Sequence, residues 1–122
     1  MSTMDIANKM VALCKEGKGI EAIETLFSDD VVSIEAVAAP GVEREVHGKE
    51  AVKGKNEWWI NSHEVHSMEM TGPWPHGDRF IVGFEIEVTV KESGQRWQMS
   101  EVGLYTVKDG KIVKEEFFYD MG

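Results

Sequence analysis

Glutamate residues occupy positions in the C-terminal strands where apolar core residues are expected. Glu115 shares the alternation of Phe117 and Tyr119 in a predicted strand over residues 112–119, so the three side chains should lie on one face. A carboxylate buried on a sheet costs several kcal/mol unless it is paired or serves chemistry, and the chemistry it suits is general acid–base catalysis. There are two alternatives for Glu115: it could be buried and paired with a cationic residue, or the strand register could differ by one residue and place it in solvent.

Two further glutamates have orientations that the sequence leaves open. Glu101 lies in a predicted strand over residues 96–107 whose two faces are both partly apolar, so it could line a cavity, a rim or an interface. Glu35 ends a predicted strand over Val31–Glu35 and could stay solvated at an exposed edge. Other strand glutamates are expected on the outer face of the sheet, namely Glu85, Glu87 and Glu116.

The order of the elements predicts an α+β domain over residues 1–122. Three helices in the N-terminal half should cover one face of a strongly bent antiparallel sheet, leaving a cone with room for a ligand pocket. The predicted helices are a first one ended by Gly17, then Ile20–Phe27 and Lys49–Ser62. The predicted strands are Val31–Glu35, Glu64–Thr71, Arg79–Lys91, Arg96–Val107 and Ile112–Tyr119, with a short edge strand at Glu43–Val46 and a corner at residues 72–75.

Composition limits the classes of partner. A chain of 122 residues with a formal net charge of −9 is suited to neither nucleic acid nor an anionic membrane surface. The sequence contains no apolar run of membrane-spanning length and no signal-peptide pattern, so a cytoplasmic location is expected. Cys14, the single cysteine, lies on an apolar helical stripe and is expected to be an inert buried thiol.

Four motifs are spread over nearly the whole chain. They are GIEAI at residues 19–23 leading to FSDDV at 27–31, HGKEAV at 47–52, TGP at 71–73, and DGKIV at 109–113 running into FFY at 117–119. In this order they resemble the nuclear transport factor 2-like superfamily, within its SnoaL-like polyketide cyclase and ketosteroid isomerase group. The resemblance implies the cone-shaped fold but not one activity, because this fold hosts isomerases, cyclases, hydrolases and binding modules.

The resemblance also implies roles for single residues. Ketosteroid isomerases move a proton with a carboxylate near the end of the first strand, opposite a tyrosine and a protonated acid. The carboxylate role falls on Glu35. The tyrosine position falls at Met10, and the acid position falls near Val102, with Glu101 one residue out of register. Steroid isomerisation itself is therefore not expected.

The cavity is expected to bind a small apolar or carbonyl-containing molecule. The expected substrate-binding residues are mostly aromatic: Trp58, Trp59, Trp74, Phe84, Val102, Phe117 and Tyr119. His66 shares the alternation of Met68 and Met70 and could relay a proton in the cavity, although a surface position is the alternative. No metal and no cofactor are expected, because His63 and His66 lack a nearby third ligand and phosphate-binding loops are missing.

A homodimer through the outer sheet face is also expected. By the resemblance, Val102 and Leu104 point into the cavity. An outer face that is largely apolar is typical of a subunit interface, and here it would consist of Trp97, Met99, Tyr105 and Phe118.

The predicted activity is acid–base chemistry on a carbonyl compound: isomerisation, aldol-type cyclisation or water addition. Glu35 would abstract a proton, and Glu115 or His66 would return it. Tyr119 or an indole N–H would hold the oxygen. A non-catalytic ligand-binding module and an association domain that uses the sheet face are the two alternatives.

Overall fold

The first helix, α1 (Thr3–Lys15), begins at a complete capping box. The Ser2 hydroxyl accepts a hydrogen bond from the backbone N–H of Asp5, and the Asp5 carboxylate accepts one from the N–H of Ser2, each at 3.1 Å. These bonds satisfy donors that a helix leaves unpaired at its start. One side of the helix is buried through Ile6, Ala7, Met10 and Val11.

The computed structural model describes residues 1–38 and 43–120, with three helices and six strands in those ranges. The other helices are α2 (Gly19–Leu26) and α3 (Lys49–Ser62). The strands are β1 (Phe27–Ile34), β2 (Glu45–His47), β3 (His63–His76), β4 (Arg79–Val90), β5 (Arg96–Lys108) and β6 (Lys111–Phe118). Within the described residues, no helix is long and apolar enough to cross a membrane.

The six strands form one sheet in the order β2-β1-β6-β5-β4-β3. Strands β3 to β6 form an antiparallel meander, and β2 pairs antiparallel with β1. The predicted α+β fold is confirmed, with one difference: β1 and β6 run parallel, so the sheet is mixed. No hairpin connects these two strands, so chain connectivity does not force them to be antiparallel.

The inner face of the sheet supplies most of the core. Alternate residues of β4 are at most 8% exposed and pack under the helices: Phe80, Val82, Phe84, Ile86 and Val88. The opposite face carries the glutamates expected outside. Glu85 accepts a hydrogen bond from Ser100, and Glu87 pairs with Arg96 across the same two strands.

Two predicted connections differ from the structure. Residues 72–75 belong to β3 instead of forming a corner, because Trp74 pairs with Ile81 and His76 pairs with Arg79. The pairing shifts between Thr71 and Trp74, which accommodates the irregular segment. The predicted edge strand is β2 at Glu45–His47, and part of the loop predicted before it lies outside the described residues.

Candidate active site

A cavity of about 400 Å³ lies between the helices and the inner face of the sheet. Its walls are mainly apolar side chains from α1, α2, α3 and the four strands β3 to β6. Aromatic residues dominate the side near α3 and β6: Trp58, Trp59, Phe117 and Tyr119. A cavity of this size and composition suits a small, largely apolar ligand.

Glu115 lies at the buried end of the cavity, on β6. It is 4% exposed, and one of its oxygens accepts a 2.8 Å hydrogen bond from the Ser33 hydroxyl. Ser33 is itself fully buried and stands beside Glu115 in the parallel β1–β6 pair. Burial raises the pKa of Glu115 to about 7, against the opposing effects of Lys55 and the Ser33 hydrogen bond.

Glu35 follows directly after β1 and is held by two partners. The Lys55 ammonium is 3.1 Å from Glu35 Oε1, and the Tyr119 hydroxyl donates to Oε2 at 3.1 Å. The same ammonium donates to the Ser33 hydroxyl at 2.5 Å and lies 5.6 Å from the centre of the Phe117 ring. Lys55 therefore connects Glu35 to Glu115 through Ser33.

Glu101 lines the cavity from β5, opposite Phe84 of β4. In residues 1–38 and 43–120, no group forms a hydrogen bond or an ion pair with its carboxyl. Burial is the largest influence on Glu101 and, together with the nearby Glu35 and Glu115, raises its pKa to about 7. This carboxyl is therefore free to meet a ligand, and it changes charge near neutral pH.

The predicted orientation of β5 is wrong. Tyr105 is 3% exposed and lines the cavity with Met99, whereas Val102 is 39% exposed on the outer face. The pairing with β4 determines which face of β5 is buried. Tyr105 stands opposite Phe80 and Gly103 stands opposite Val82, and Phe80 and Val82 are core residues. A shift of one residue in an alternating strand exchanges its two faces completely. Met99 and Tyr105 therefore cannot belong to an interface on the outer face, and neither can Trp97, which stands opposite the core residue Val88 in the same alternation.

The predicted substrate-binding residues divide into two groups. Five line the cavity: Trp58, Trp59, Phe84, Phe117 and Tyr119. Val102 and Trp74 do not line it, and Trp74 is 54% exposed. Trp74 pairs with Ile81, which is on the outer face, so the residue lies away from the cavity.

His66 also lies away from the cavity. The pairing of β3 with β4 shifts between Val65 and Ser67, so His66 occupies a bulge and loses the alternation it was expected to share with Met68. Its ring is exposed and is 2.7 Å from the Thr89 hydroxyl. A histidine in this position cannot return a proton to a ligand in the cavity.

Lys55 and Ser33 are polar site residues that sequence reasoning missed. Lys55 lies three residues after the buried Val52 and four before Trp59, so helical spacing places it on the inner side of α3. Ser33 lies between Val31 and Glu35 in the alternation of β1. Both positions were readable as inward-facing, but their polar side chains suggested solvent.

The cavity also contains the lone cysteine. Burial raises the pKa of Cys14 to about 11, so its thiol stays protonated, which agrees with an inert role. Within the described residues, no group of three or more His, Cys, Asp or Glu side chains is placed to hold a metal ion.

Comparison with known proteins identifies the family. Residues 1–119 match the profile of the SnoaL-like domain. The chain belongs to the SnoaL-like family. A Mesorhizobium loti protein named as a candidate SnoaL-like polyketide cyclase, with carbohydrate phosphatase as a second name, is 44% identical to it. The two structures superpose with a TM-score of 0.92 over 98% of this chain and 100% of the other.

More distant structures share the fold of this SnoaL-like protein. A candidate isomerase of Bacillus subtilis is 19% identical, with a TM-score of 0.81 over 98% of this chain and 90% of the other. A candidate SnoaL-like polyketide cyclase of Jannaschia is 17% identical, with a TM-score of 0.78 over 97% and 87% of the two chains. No curated protein sequence matches the chain.

The polar end of the SnoaL-like cavity can both accept and donate protons. It holds three carboxyl groups and one ammonium group, from Glu35, Glu101, Glu115 and Lys55. Because the pKa values of Glu101 and Glu115 are both about 7, acid and carboxylate forms coexist near neutral pH. Acid–base catalysis is most effective when the pKa of the catalytic group is close to the working pH.

Proposed function

We propose that the protein binds a small apolar carbonyl compound and transfers a proton on it without a cofactor. One observation carries the proposal: the Glu101 carboxyl faces an apolar cavity with no partner among the described residues, and Glu35 opens on the same cavity. An unpaired polar group in such a place is costly. A ligand that hydrogen-bonds to Glu101 removes this cost.

The proposed step divides the work between two glutamates. The Glu35 carboxylate takes the proton from the carbon next to the carbonyl group, and the C–H electron pair forms a carbon–carbon double bond. The carbonyl oxygen becomes an enolate oxygen, which the protonated Glu101 stabilises by a hydrogen bond. Return of the proton by Glu35 to the same or another carbon gives exchange or isomerisation. The neighbours named as an isomerase and as polyketide cyclases are compatible with such proton transfer.

The activity is tested with a simple ketone. The wild-type protein is incubated with 2-tetralone in D₂O, and loss of the proton signals next to the carbonyl group is followed by NMR. We expect exchange faster than in buffer of equal pD. Exchange at the buffer rate would contradict the proposal.

Glu101 is expected to titrate near neutral pH. With side-chain carboxyl carbons labelled with ¹³C, two glutamate signals should change with midpoints of about 7, because burial favours the neutral forms of Glu101 and Glu115. Glu101→Gln should remove one signal and Glu115→Gln the other. Glu92→Gln, in the exposed turn before β5, should remove neither. Titration of every glutamate below pH 5 would contradict the assignment of the acid.

We also propose that two copies of the chain associate through apolar residues on the outer face of the sheet, a set that differs in part from the one predicted from the sequence. Four apolar side chains of the outer face are between 39% and 54% exposed: Trp74, Ile81, Val102 and Phe118. They are neighbours across the sheet, since Trp74 pairs with Ile81 and Val102 pairs with Phe118. An exposed apolar patch of this kind is typical of an interface.

Phe118→Glu is expected to shift the protein from dimer to monomer, because it places a charge within the apolar patch. Sedimentation equilibrium measures the mass directly. Met4→Glu changes an exposed apolar residue on α1 and should leave the mass unchanged. A wild-type protein that is monomeric at high concentration would rule out this association.

A further inference from the structure

The aromatic ring of Tyr105 lies across the backbone of Gly103. A Cβ atom placed on Gly103 would be 2.8 Å from Tyr105 Cε2 and 3.1 Å from its hydroxyl oxygen, so any side chain there would displace the ring. The ring therefore leans along β5 from Tyr105 over Gly103. Glu101 is the next inward-facing residue in that direction, roughly 7 Å further along the strand.

Two aromatic neighbours hold the ring in this position. The Phe80 ring is stacked on it, with centroids 4.9 Å apart and planes 9° from parallel. The Phe117 ring meets it edge-on, with centroids 6.2 Å apart at 89°. Packing on both sides fixes the direction of the hydroxyl group before any ligand arrives.

The Tyr105 hydroxyl has no hydrogen-bond partner in residues 1–38 and 43–120, although the side chain is 3% exposed and lines the cavity. No fully buried side-chain N or O atom of the described residues lacks a hydrogen-bond partner, so the Tyr105 hydroxyl oxygen is reachable from the cavity and open to a ligand. Burial, with the nearby Glu115 as the next cause, raises the pKa of Tyr105 well above its usual value. The group therefore remains a neutral donor over the whole physiological range.

We propose that the Tyr105 hydroxyl donates a hydrogen bond to the carbonyl oxygen of the ligand. This assignment rests on the proposed function, in that it takes the ligand to be a carbonyl compound. It makes Tyr105 the partner of Glu101 in holding the oxygen, with Gly103 providing the space between them. The sequence predicted Tyr105 at an interface and assigned the oxygen to Tyr119 or an indole N–H, but the Tyr119 hydroxyl donates to Glu35.

The test compares wild type with Tyr105→Phe, which removes the hydroxyl and keeps the ring packing. 2-Tetralone labelled with ¹³C at the carbonyl group is bound to each protein, and the carbonyl stretching band is recorded by infrared spectroscopy. We expect a lower wavenumber in the wild type than in the variant, because a donated hydrogen bond weakens the C=O bond. The affinity for the ketone should fall roughly 5- to 10-fold in the variant.

The hydrocarbon tetralin, which lacks the oxygen, is the matched ligand and should bind both proteins equally. Thermal stability should change little in Tyr105→Phe, because phenylalanine keeps the ring packing against Phe80 and Phe117. The same band and the same ketone affinity in both proteins would overturn the assignment of Tyr105. If exchange is still lost in Glu35→Gln, the proposed function survives that result. Failure of the wild type to bind either compound would overturn both proposals.

Discussion

Glu35→Gln is expected to slow the protein-catalysed exchange of 2-tetralone by about 10²- to 10⁴-fold, the usual contribution of a general base. Glutamine keeps the size of the side chain, its carbonyl oxygen can accept a hydrogen bond from Lys55, and its NH2 group can donate one to the Tyr119 hydroxyl oxygen. It cannot take a proton from carbon. The rate of signal loss in D₂O, measured at saturating ketone, gives the effect on the chemical step.

Two measurements separate a lost base from a damaged cavity. The dissociation constant of 2-tetralone should change little in Glu35→Gln, because the apolar walls are unaffected. Glu92→Gln should exchange the ketone at the wild-type rate. An unchanged rate in Glu35→Gln would mean that another group is the base or that the cavity only binds its ligand.

Lys55→Met is expected to lower the free energy of unfolding by about 3 kcal/mol at pH 8, since it breaks a largely buried ion pair. The side chains of Lys55 and Glu35 are 10% and 24% exposed, and the ammonium is also hydrogen-bonded to Ser33. Methionine preserves the apolar length of the side chain but leaves carboxylates in the cavity without a cation. Urea denaturation at pH 8 and pH 5 measures the change.

The loss of stability in Lys55→Met should differ between pH 5 and pH 8 in a direction set by Glu115. The pKa of Glu115 is raised in the folded state from 4.5 to about 7, so its contribution to stability is fully present below about 4.5 and is lost as pH rises towards 7. Lys55 opposes this loss, because it favours the charged form of Glu115. The effect of Lys55→Met should therefore be smaller at pH 5 than at pH 8.

Lys53→Met is the matched control on the same helix. Lys53 pairs with Glu24 and Glu50, whose side chains are 50% and 87% exposed, so the carboxylates that lose their cation stay hydrated and the variant should remain close to wild type in stability. Equal losses in the two variants at both pH values would show that the cavity lysine has no special role.

The fold was predictable because its strongest signals are local. Every second residue of β4 from Phe80 to Val88 is apolar, and turn residues separate β4, β5 and β6. The inward positions of Glu115 and Glu35 followed from the alternation of β6 and from the family resemblance. Neither prediction depended on knowing which strands are neighbours.

The wrong predictions concern residues whose orientation is determined by the neighbouring strand. In β5, Met99 and Tyr105 alternate with Val102 and Leu104, so both faces are apolar and only the pairing with β4 reveals which is buried. The bulge at His66 is likewise a property of two strands together. Lys55 and Ser33 were missed because each is polar, and their burial makes sense only once Glu35 and Glu115 are beside them.

Strand β6 connects the two parts of the sheet that carry the acidic residues of the site. Strands β1 and β2 are hydrogen-bonded to the rest of the sheet only through β6, the last strand of the described chain. Glu35 follows β1 on one side of β6, Glu101 lies in β5 on the other side, and Glu115 lies on β6 itself. The hydrogen bond between Ser33 and Glu115 and the placement of Glu35 and Glu101 on one cavity therefore both depend on β6 being in its place in the sheet. Because β6 pairs with both parts, the same strand pairing completes the sheet and brings the acids of the site together.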